Sequence, residues 1–213
     1  MFAKHTKILF QGDSITDGAR GRNDDLNHIM GHGYAYIIAA KLGYERPELD
    51  LKFINRGCSG NRSVDLYARW QDDALKLTPD FISVLIGIND VMFPYVYKNN
   101  SGISAEKYEI FYRSVITESM AALPDVKFIL CEPFALPVKG LASNWEEIEP
   151  EMDKRGKIVR KLAGEFDAFH VELQEKFNHA CRFREAEYWL WDGVHPTAAG
   201  HELIACEWLN AVK

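Results

Sequence analysis

The sequence predicts an α/β fold, in which a mostly parallel β-sheet carries helices on both faces. Short apolar runs that end in turn residues alternate with longer segments of helical periodicity along the 213 residues. The run FISVLIG at 81–87 is apolar at nearly every position, which is typical of a strand buried on both faces. Because no repeat, low-complexity stretch or Pro/Gly/Ser-rich linker divides the chain, residues 1–213 are predicted to form a single domain.

Five strands and five helices are predicted in this pattern. The strands are expected at 7–11, 50–55, 81–87, 126–132 and 168–172. The helices are expected at 33–42, 63–77, 104–122, 147–166 and 197–211. Gly43 is predicted to close the first helix, and Ser63 and Ser104 are the predicted N-caps of the next two. The segment 133–150 has three prolines and no clear period, so we expect a long loop that walls a pocket or joins a subunit interface.

The net charge and the cysteine content indicate which binding partners and which cellular compartment to expect. Charged residues make up 26% of the chain and its formal net charge is −6, without a basic cluster, so neither nucleic acid nor an anionic membrane is expected as a partner. No apolar run approaches the roughly 20 residues that span a bilayer. The N-terminus lacks the pattern of a secretory signal and the four cysteines are scattered, so a reduced, cytoplasmic protein is expected.

The first strand runs into the stretch QGDSITDG at 11–18, which raises the first question of chemistry. Reactive groups in parallel sheets collect beyond the carboxyl ends of the strands, so Ser14 is a candidate nucleophile. The stretch lacks the spacing and lysine of a phosphate loop, the Gly-x-Gly-x-x-Gly of a dinucleotide site and the second glycine of a Gly-x-Ser-x-Gly elbow. On these residues alone, a helix cap or turn residue is the more common role for Ser14.

A candidate base lies near the other end of the sequence, in WLWDGVHPTAAGH at 189–201. A serine hydroxyl needs an imidazole to take its proton, and the imidazole needs a carboxylate to fix its tautomer and orientation. Asp192 and His195 stand three apart in a short turn in which Gly193 gives the bend, so one turn can supply both groups. Taken in isolation, such a pair is more often a surface Asp beside a His that caps a helix.

Two further strand ends offer hydrogen-bond donors for a developing oxyanion. Gly60, in NRGCSGN at 55–61, can present a backbone N–H with no side chain to obstruct a substrate. Asn89, in GIND at 87–90, can present a side-chain amide, and the N–H of Ser14 would be a third donor. Singly, a turn glycine and an Asx-turn are the more common roles. Together with Ser14, Asp192 and His195, however, the motifs form one set at the strand ends and the final turn.

These four blocks carry a resemblance to the SGNH hydrolases, the GDSL-type esterase/lipase superfamily, over essentially the whole chain. Its blocks match GDSITDG, NRGCSGN, GIND and DGVHP, with Ile15 in place of the nominal leucine as one aliphatic swap. The resemblance implies a three-layer α/β/α, flavodoxin-like fold with a five-stranded parallel sheet. It also implies catalysis by a serine nucleophile. Ser14 would be the nucleophile, His195 the base, Asp192 its orienting group, and Ser14, Gly60 and Asn89 the oxyanion hole.

A narrower resemblance suggests the substrate class. The stretches SGNRSVDLYARWQDDALKLTPDFISVLIGINDV and WDGVHPTAAGHELIA are similar to the intracellular acetylxylan esterases of the superfamily. This similarity implies removal of O-acetyl groups from carbohydrates, acetylated xylo-oligosaccharides first, by a homo-oligomer that needs no cofactor. The alternative is the same mechanism on short acyl esters that are not carbohydrates, such as lysophospholipids or thioesters. A binding module on an inactivated scaffold would be expected to lack a site residue, and none is missing.

A histidine pair, an aspartate and a tryptophan near these motifs could have either functional or structural roles. His28 and His32 are four apart, but the two glycines that flank His32 argue against a regular helix, so no metal site is predicted. Asp13 is predicted to support the nucleophile turn through hydrogen bonds to nearby backbone. Trp191, beside the predicted orienting carboxylate, is the aromatic residue predicted to contact the sugar, and a core or subunit contact is the alternative.

Overall fold

The computed structural model describes residues 2–213 and is built around one five-stranded sheet. Its strands are β1 (Lys7–Gly12), β2 (Lys52–Asn55), β3 (Phe81–Leu85), β4 (Lys127–Cys131) and β5 (Phe169–Val171). They lie in the order β2-β1-β3-β4-β5, and each neighbouring pair is parallel. The five predicted strands are therefore confirmed, and their carboxyl ends all meet at the same edge of the sheet.

Helices surround this sheet and position its edge residues. They are α1 (Ser14–Asp17), α2 (Tyr34–Glu45), α3 (Ser63–Ala68), α4 (Trp70–Asp73), α5 (Ile88–Tyr95), α6 (Ala105–Ala122), α7 (Trp145–Glu165), α8 (Gln174–Ala180), α9 (Ala186–Trp189) and α10 (Ala198–Ala211). Helices α2 and α10 pack together on one face of the sheet, and α6 and α7 pack together on the other. The predicted α/β class with helices on both faces is confirmed. No helix within residues 2–213 is both long and apolar enough to cross a membrane.

The alternation of side chains along the strands explains the two covered faces. On β1, Ile8 and Phe10 point into the core under α2 and α10, while Leu9 points into the core under α6 and α7. All three are fully buried. Burying such a side chain contributes roughly 1.5–3 kcal/mol, so a strand that is apolar on both faces is stable only between two helical layers.

Two of the predicted helices differ in detail from the structure. Helix α2 runs through Gly43 to Glu45, because an interior glycine costs only about 1 kcal/mol and the position is open to solvent. The helix predicted over 63–77 is interrupted at Arg69, between α3 and α4, and ends in a 3₁₀ turn at Leu75–Leu77. Arg69 hydrogen-bonds to distant parts of the chain, and such contacts leave no trace in periodicity.

The predicted N-cap at Ser63 is wrong, whereas that at Ser104 is confirmed. Ser104 accepts the N–H of Lys107 through its side chain. Ser63 is instead the first residue of α3, and both its N–H and its hydroxyl donate to the buried carboxylate of Asp90. A buried carboxylate requires hydrogen-bond donors, and Ser63 supplies two of them to Asp90 instead of capping the helix.

The segment 133–150 is ordered secondary structure over much of its length, so the expected long loop is wrong. Phe134, Ala135 and Leu136 are buried, Lys139–Asn144 form a 3₁₀ helix, and α7 already begins at Trp145. Pro150 lies inside α7. Apolar side chains at 134–136 pack into the core, which is why a segment without periodicity is nevertheless held in place.

Candidate active site

The turn between β1 and α1 presents Ser14 at the carboxyl edge of the sheet. Asp13 is the N-cap of α1, and its Oδ1 accepts the N–H of Ile15 at 3.0 Å. A Cβ at position 12 would lie 2.2 Å from the carbonyl oxygen of Leu85, so only glycine fits where β1 leaves the sheet. Ser14 is the first residue of α1, and an N–H in that position has no partner within the helix.

Ser14 lies at one end of a chain of three hydrogen-bonded side chains. Its hydroxyl donates to Nε2 of His195 with an Oγ–Nε2 distance of 2.9 Å. On the other side of the imidazole, Nδ1–H donates to Oδ2 of Asp192 at 2.7 Å. A carboxylate only accepts hydrogen bonds, so Asp192 fixes the tautomer that leaves Nε2 free to accept from Ser14.

The turn that carries Asp192 and His195 is held by its own backbone and by the segment 133–150. Oδ1 of Asp192 accepts the N–H groups of Val194 and His195, at 3.0 and 2.8 Å. Gly193 has φ of +90°, and its carbonyl accepts the N–H of Leu136 at 2.9 Å. A Cβ on Gly193 would lie 2.5 Å from the carbonyl oxygen of Leu136. The segment therefore supports the turn directly, through contacts that require glycine.

The protonation equilibria of the three carboxyl and imidazole groups follow from these contacts. Burial alone would raise the pKa of Asp192, but hydrogen bonds from the side chain and backbone of His195 outweigh it, so this pKa is lowered. The hydrogen bond to Asp192 raises the pKa of His195 above 6.5, against the opposite effect of partial burial. Burial raises the pKa of Asp13 to about 7. An ionised Asp192 beside an imidazole of raised basicity is the arrangement that general-base chemistry needs.

The two predicted oxyanion donors lie in neighbouring segments linked by Asn61. Gly60 is exposed with φ of +79°, and beyond its two chain neighbours no residue has a heavy atom within 4 Å of where its Cβ would be. Asn89 is in the first turn of α5, and its Nδ2 donates to the carbonyl of Asn61 at 3.0 Å. Since an amide nitrogen carries two hydrogens, one remains for another acceptor. The N–H of Cys58 donates to the carbonyl of Gly12 at 3.0 Å, which ties this loop to the nucleophile turn.

A pocket of about 280 Å³ opens beside the serine. Its lining comprises Ser14, Ile15, Gly18, Ala19, His32, Trp191, His195, Pro196 and His201. Gly60 and Asn89 are not part of this lining, so the pocket does not extend to the two predicted donors. Trp191 is half exposed, its ring stacks on that of His195 at 6.3 Å, and Nζ of Lys139 lies 4.3 Å from its centroid.

His201 is a residue of this pocket that sequence reasoning missed. It lies in the first turn of α10, six positions after His195, and its Nδ1 accepts the N–H of Tyr34 at 3.2 Å. Burial lowers its pKa to about 4, and the nearby His32 and His195 add to this effect. His201 is therefore neutral near pH 7, with its proton on Nε2. Its position in the motif HPTAAGH was the one available signal.

The two histidines considered above for a metal site, His28 and His32, have different partners. Among residues 2–213, no group of three or more His, Cys, Asp or Glu side chains is arranged to hold a metal ion. His28 contacts Asp25 at 3.2 Å, whereas His32 faces His201 edge-on at 6.4 Å. The two histidines thus lie in different surroundings.

A serine, a histidine and an aspartate in hydrogen-bond contact at the edge of a parallel α/β sheet form an arrangement suited to hydrolysis by a serine nucleophile. The sequence profile of the GDSL-like Lipase/Acylhydrolase family matches residues 10–203. The chain is 32% identical to an acetylxylan esterase of Geobacillus stearothermophilus over 210 residues, covering 97% of this chain and 93% of that protein. This protein therefore belongs to the GDSL-like lipase/acylhydrolase family and is a carboxylic ester hydrolase.

Solved structures agree with this assignment. The crystal structure of Axe2, an acetylxylan esterase from Geobacillus stearothermophilus, superposes with a TM-score of 0.89 at 32% identity, covering 99% of this chain and 95% of that one. A GDSL-like protein from Parabacteroides merdae superposes with a TM-score of 0.91 at 37% identity, covering 99% and 97%. These similarities confirm the SGNH hydrolase fold.

Proposed function

We propose that this protein is a serine esterase that removes O-acetyl groups from carbohydrates, with acetylated xylo-oligosaccharides as its foremost substrates. The observation that carries the proposal is the hydrogen-bonded series from Ser14 through His195 to Asp192. The similarity to an acetylxylan esterase over 97% of the chain supports the choice of substrate. In this proposal Trp191 contacts the sugar at the rim of the pocket.

In the first half of the proposed reaction, the acetyl group moves from the sugar to the enzyme. Nε2 of His195 takes the proton of Ser14 as Oγ attacks the acetyl carbonyl, and a tetrahedral oxyanion forms. The N–H groups of Ser14 and Gly60 and the amide of Asn89 donate to this oxyanion. Collapse of the intermediate breaks the C–O bond to the sugar, whose oxygen receives the proton from His195.

In the second half, water releases the acetyl group by the same groups. Nε2 of His195 takes a proton from water, which attacks the carbonyl of the acetyl-enzyme and forms a second oxyanion. Collapse returns the proton to Oγ of Ser14 and releases acetate. Throughout both halves, Asp192 stabilises the imidazolium that forms, which agrees with its lowered pKa.

The pocket beside Ser14 favours a small acyl group and a polar leaving group. At about 280 Å³ it is small, and its lining includes three histidines and one tryptophan, which offer polar and aromatic contacts. Sugars present hydroxyls that hydrogen-bond and apolar ring faces that pack on aromatic side chains. A long acyl chain would require a larger cavity than this one.

The substrate proposal is tested by two measurements on the wild-type protein. Rates on p-nitrophenyl acetate, butyrate and octanoate are expected to fall as the chain lengthens, because the pocket is small. An NMR time course on mixed acetylated glycans is expected to show the acetyl signals of xylo-oligosaccharides disappearing first. A preference for octanoate over acetate would overturn the choice of acyl group, and untouched xylo-oligosaccharide signals would overturn the choice of sugar.

The proposed general base leads to a prediction for the pH profile. His195 must be neutral to accept a proton, so kcat/KM is expected to fall as the pH drops through the pKa of His195, with a midpoint above 6.5. Asp192 is the main cause of the raised pKa, and the negative charge of Asp13 adds to it. The variant Asp13→Asn keeps an acceptor for the N–H of Ile15 and should move the midpoint to lower pH.

The measurement is kcat/KM on p-nitrophenyl acetate from pH 5 to 9. Asp125→Asn removes an exposed carboxylate before β4 and serves as the matched control. A profile that is identical in the wild type and Asp13→Asn would contradict the assigned influence of Asp13. A wild-type midpoint below 6.5 would contradict the raised pKa of His195.

A further inference from the structure

Gly60 lies at an exposed position in the loop at 56–61. Beyond its two chain neighbours, no residue has a heavy atom within 4 Å of where a Cβ of Gly60 would be. Gly60 lies inside a turn in which the N–H of Asn61 donates to the carbonyl of Cys58 at 3.1 Å, so the direction of its N–H depends on how this turn is held. Asn61 is the following residue, and its carbonyl also accepts the amide N–H of Asn89. Whatever holds Asn61 in place consequently influences both proposed oxyanion donors.

The side chain that holds Asn61 is Arg69. Its Nε–H donates to Oδ1 of Asn61 at 2.6 Å. A second nitrogen, Nη1, donates to the carbonyl of Arg56 at 2.9 Å, at the start of the same loop. The third, Nη2, donates to the carbonyl of Gly12 at 3.2 Å, two residues before Ser14. The planar guanidinium of Arg69 thus joins both ends of the loop at 56–61, here called the donor loop, to the strand that presents Ser14.

The guanidinium is itself held by two further side chains, one of them fully buried. Nη1 also donates to Oε1 of Gln11 at 2.9 Å and to Oδ2 of Asp73 at 3.0 Å. Gln11 is fully buried in β1, and its amide donates to the carbonyl of Asp73 at 2.7 Å. The Arg69 side chain is only 17% exposed, so these contacts are largely sheltered from water. A lysine cannot reproduce them, because its single ammonium lacks the planar fork of donors.

The backbone around Arg69 departs from helix to allow this reach. Arg69 lies between α3 and α4 with φ of −104° and ψ of 5°. The interruption of the predicted helix over 63–77 occurs at this residue. The helix is therefore interrupted at Arg69, the residue whose side chain connects β1 to the donor loop.

We propose that Arg69 is the positioning residue of the oxyanion hole, and that it aligns both the N–H of Gly60 and the amide of Asn89 through its hold on Asn61. The inference rests on the proposed function, because it takes Gly60 and Asn89 as the donors. Displacing a catalytic group by about 1 Å can cost on the order of 10²-fold in rate. Loss of Arg69 should therefore lower the stabilisation of the transition state more than the binding of substrate.

The test compares Arg69→Lys and Arg69→Ala with the wild type on p-nitrophenyl acetate. For Arg69→Lys, kcat is expected to fall about 10- to 100-fold while KM changes little. For Arg69→Ala, added guanidinium ion is expected to restore part of the lost kcat by occupying the vacated site. A boronic acid that forms a tetrahedral adduct on serine should bind both variants more weakly, in proportion to their loss of kcat.

The matched control is Arg113→Lys, at an ion pair with Glu165 and Glu109 on the outer face of α6. It should keep wild-type kcat and show no response to guanidinium. Rates are expressed per folded molecule, from active-site titration and thermal melts, so that poor folding is separated from misalignment. A per-molecule kcat of Arg69→Lys within twofold of wild type would overturn the inference.

Failure of the inference is distinguishable from failure of the proposed function. If Ser14→Ala retained wild-type turnover, the proposed nucleophile would be wrong whatever Arg69 does. If Ser14→Ala were inactive and Arg69→Lys fully active, the proposed function would stand and the role of Arg69 alone would fall. Absence of guanidinium rescue combined with an unchanged boronic acid affinity would likewise reject the positioning role.

Discussion

Replacement of Ser14 by alanine is expected to reduce kcat on p-nitrophenyl acetate by about 10⁵- to 10⁶-fold. Its hydroxyl lies 2.9 Å from Nε2 of His195, and no other hydroxyl has this contact within residues 2–213. Without Oγ there is no atom to carry the acetyl group, so only the donors and the pocket remain to favour direct attack by water. The loss should fall on kcat, because alanine leaves the rest of the pocket unchanged.

Three measurements accompany this variant. Single-turnover assays should show no burst of p-nitrophenol, thermal melts should match the wild type, and Ser101→Ala, at an exposed position in the segment before α6, should keep full activity. Mass spectrometry after brief reaction should find an acetyl group on the wild type and none on Ser14→Ala. Near-wild-type turnover in Ser14→Ala would reject the proposed mechanism.

The second large effect is expected for Asp192→Asn, with a fall in kcat of roughly 10⁴-fold. Asparagine can keep Oδ1 as an acceptor for the N–H groups of Val194 and His195, so the turn should retain its shape. At the other position, however, an NH₂ group replaces the carboxylate oxygen that accepts from Nδ1 of His195. The imidazole then favours the tautomer with a proton on Nε2, which cannot accept from Ser14.

The tautomer explanation has its own signature. The ring nitrogens of His195 in ¹⁵N NMR should exchange roles between the wild type and Asp192→Asn, while the melting temperature changes little. Asp153→Asn, which removes an exposed ion pair with Lys157 on α7, is the matched control and should leave kcat unchanged. A loss of less than tenfold in Asp192→Asn would mean that another group orients His195.

Much of the sheet could be predicted from the sequence, because apolar runs closed by turn residues report burial directly. The strand at 81–87 is an example, since both of its faces are covered and nearly every residue is apolar. Helix α5 was not predicted, although it carries Asn89. It has eight residues with Pro94 inside, which is too short for a clear period, and its N-cap is Gly87, two residues after β3.

The candidate site was predictable where residues cluster in motifs and not where they act through tertiary contacts. Ser14, Asp192 and His195 lie in two recognisable motifs, and the structure places them in hydrogen-bond contact. Their catalytic roles, and those of Gly60 and Asn89, stay predictions. His201 and Arg69 could not be predicted, because their contacts are with residues far away in sequence. His201 contacts Tyr34, and Arg69 contacts Gly12.

The 181 positions between Ser14 and His195 have a consequence for biosynthesis. A ribosome makes the chain from its N-terminus, so the five strands, Gly60 and Asn89 are all made before Asp192 and His195. A nascent chain that has reached β5 can form the sheet and expose Ser14 without a base to activate it. Under the proposed mechanism such a chain would have no esterase activity until the turn at 190–196 is made and packs beside Ser14.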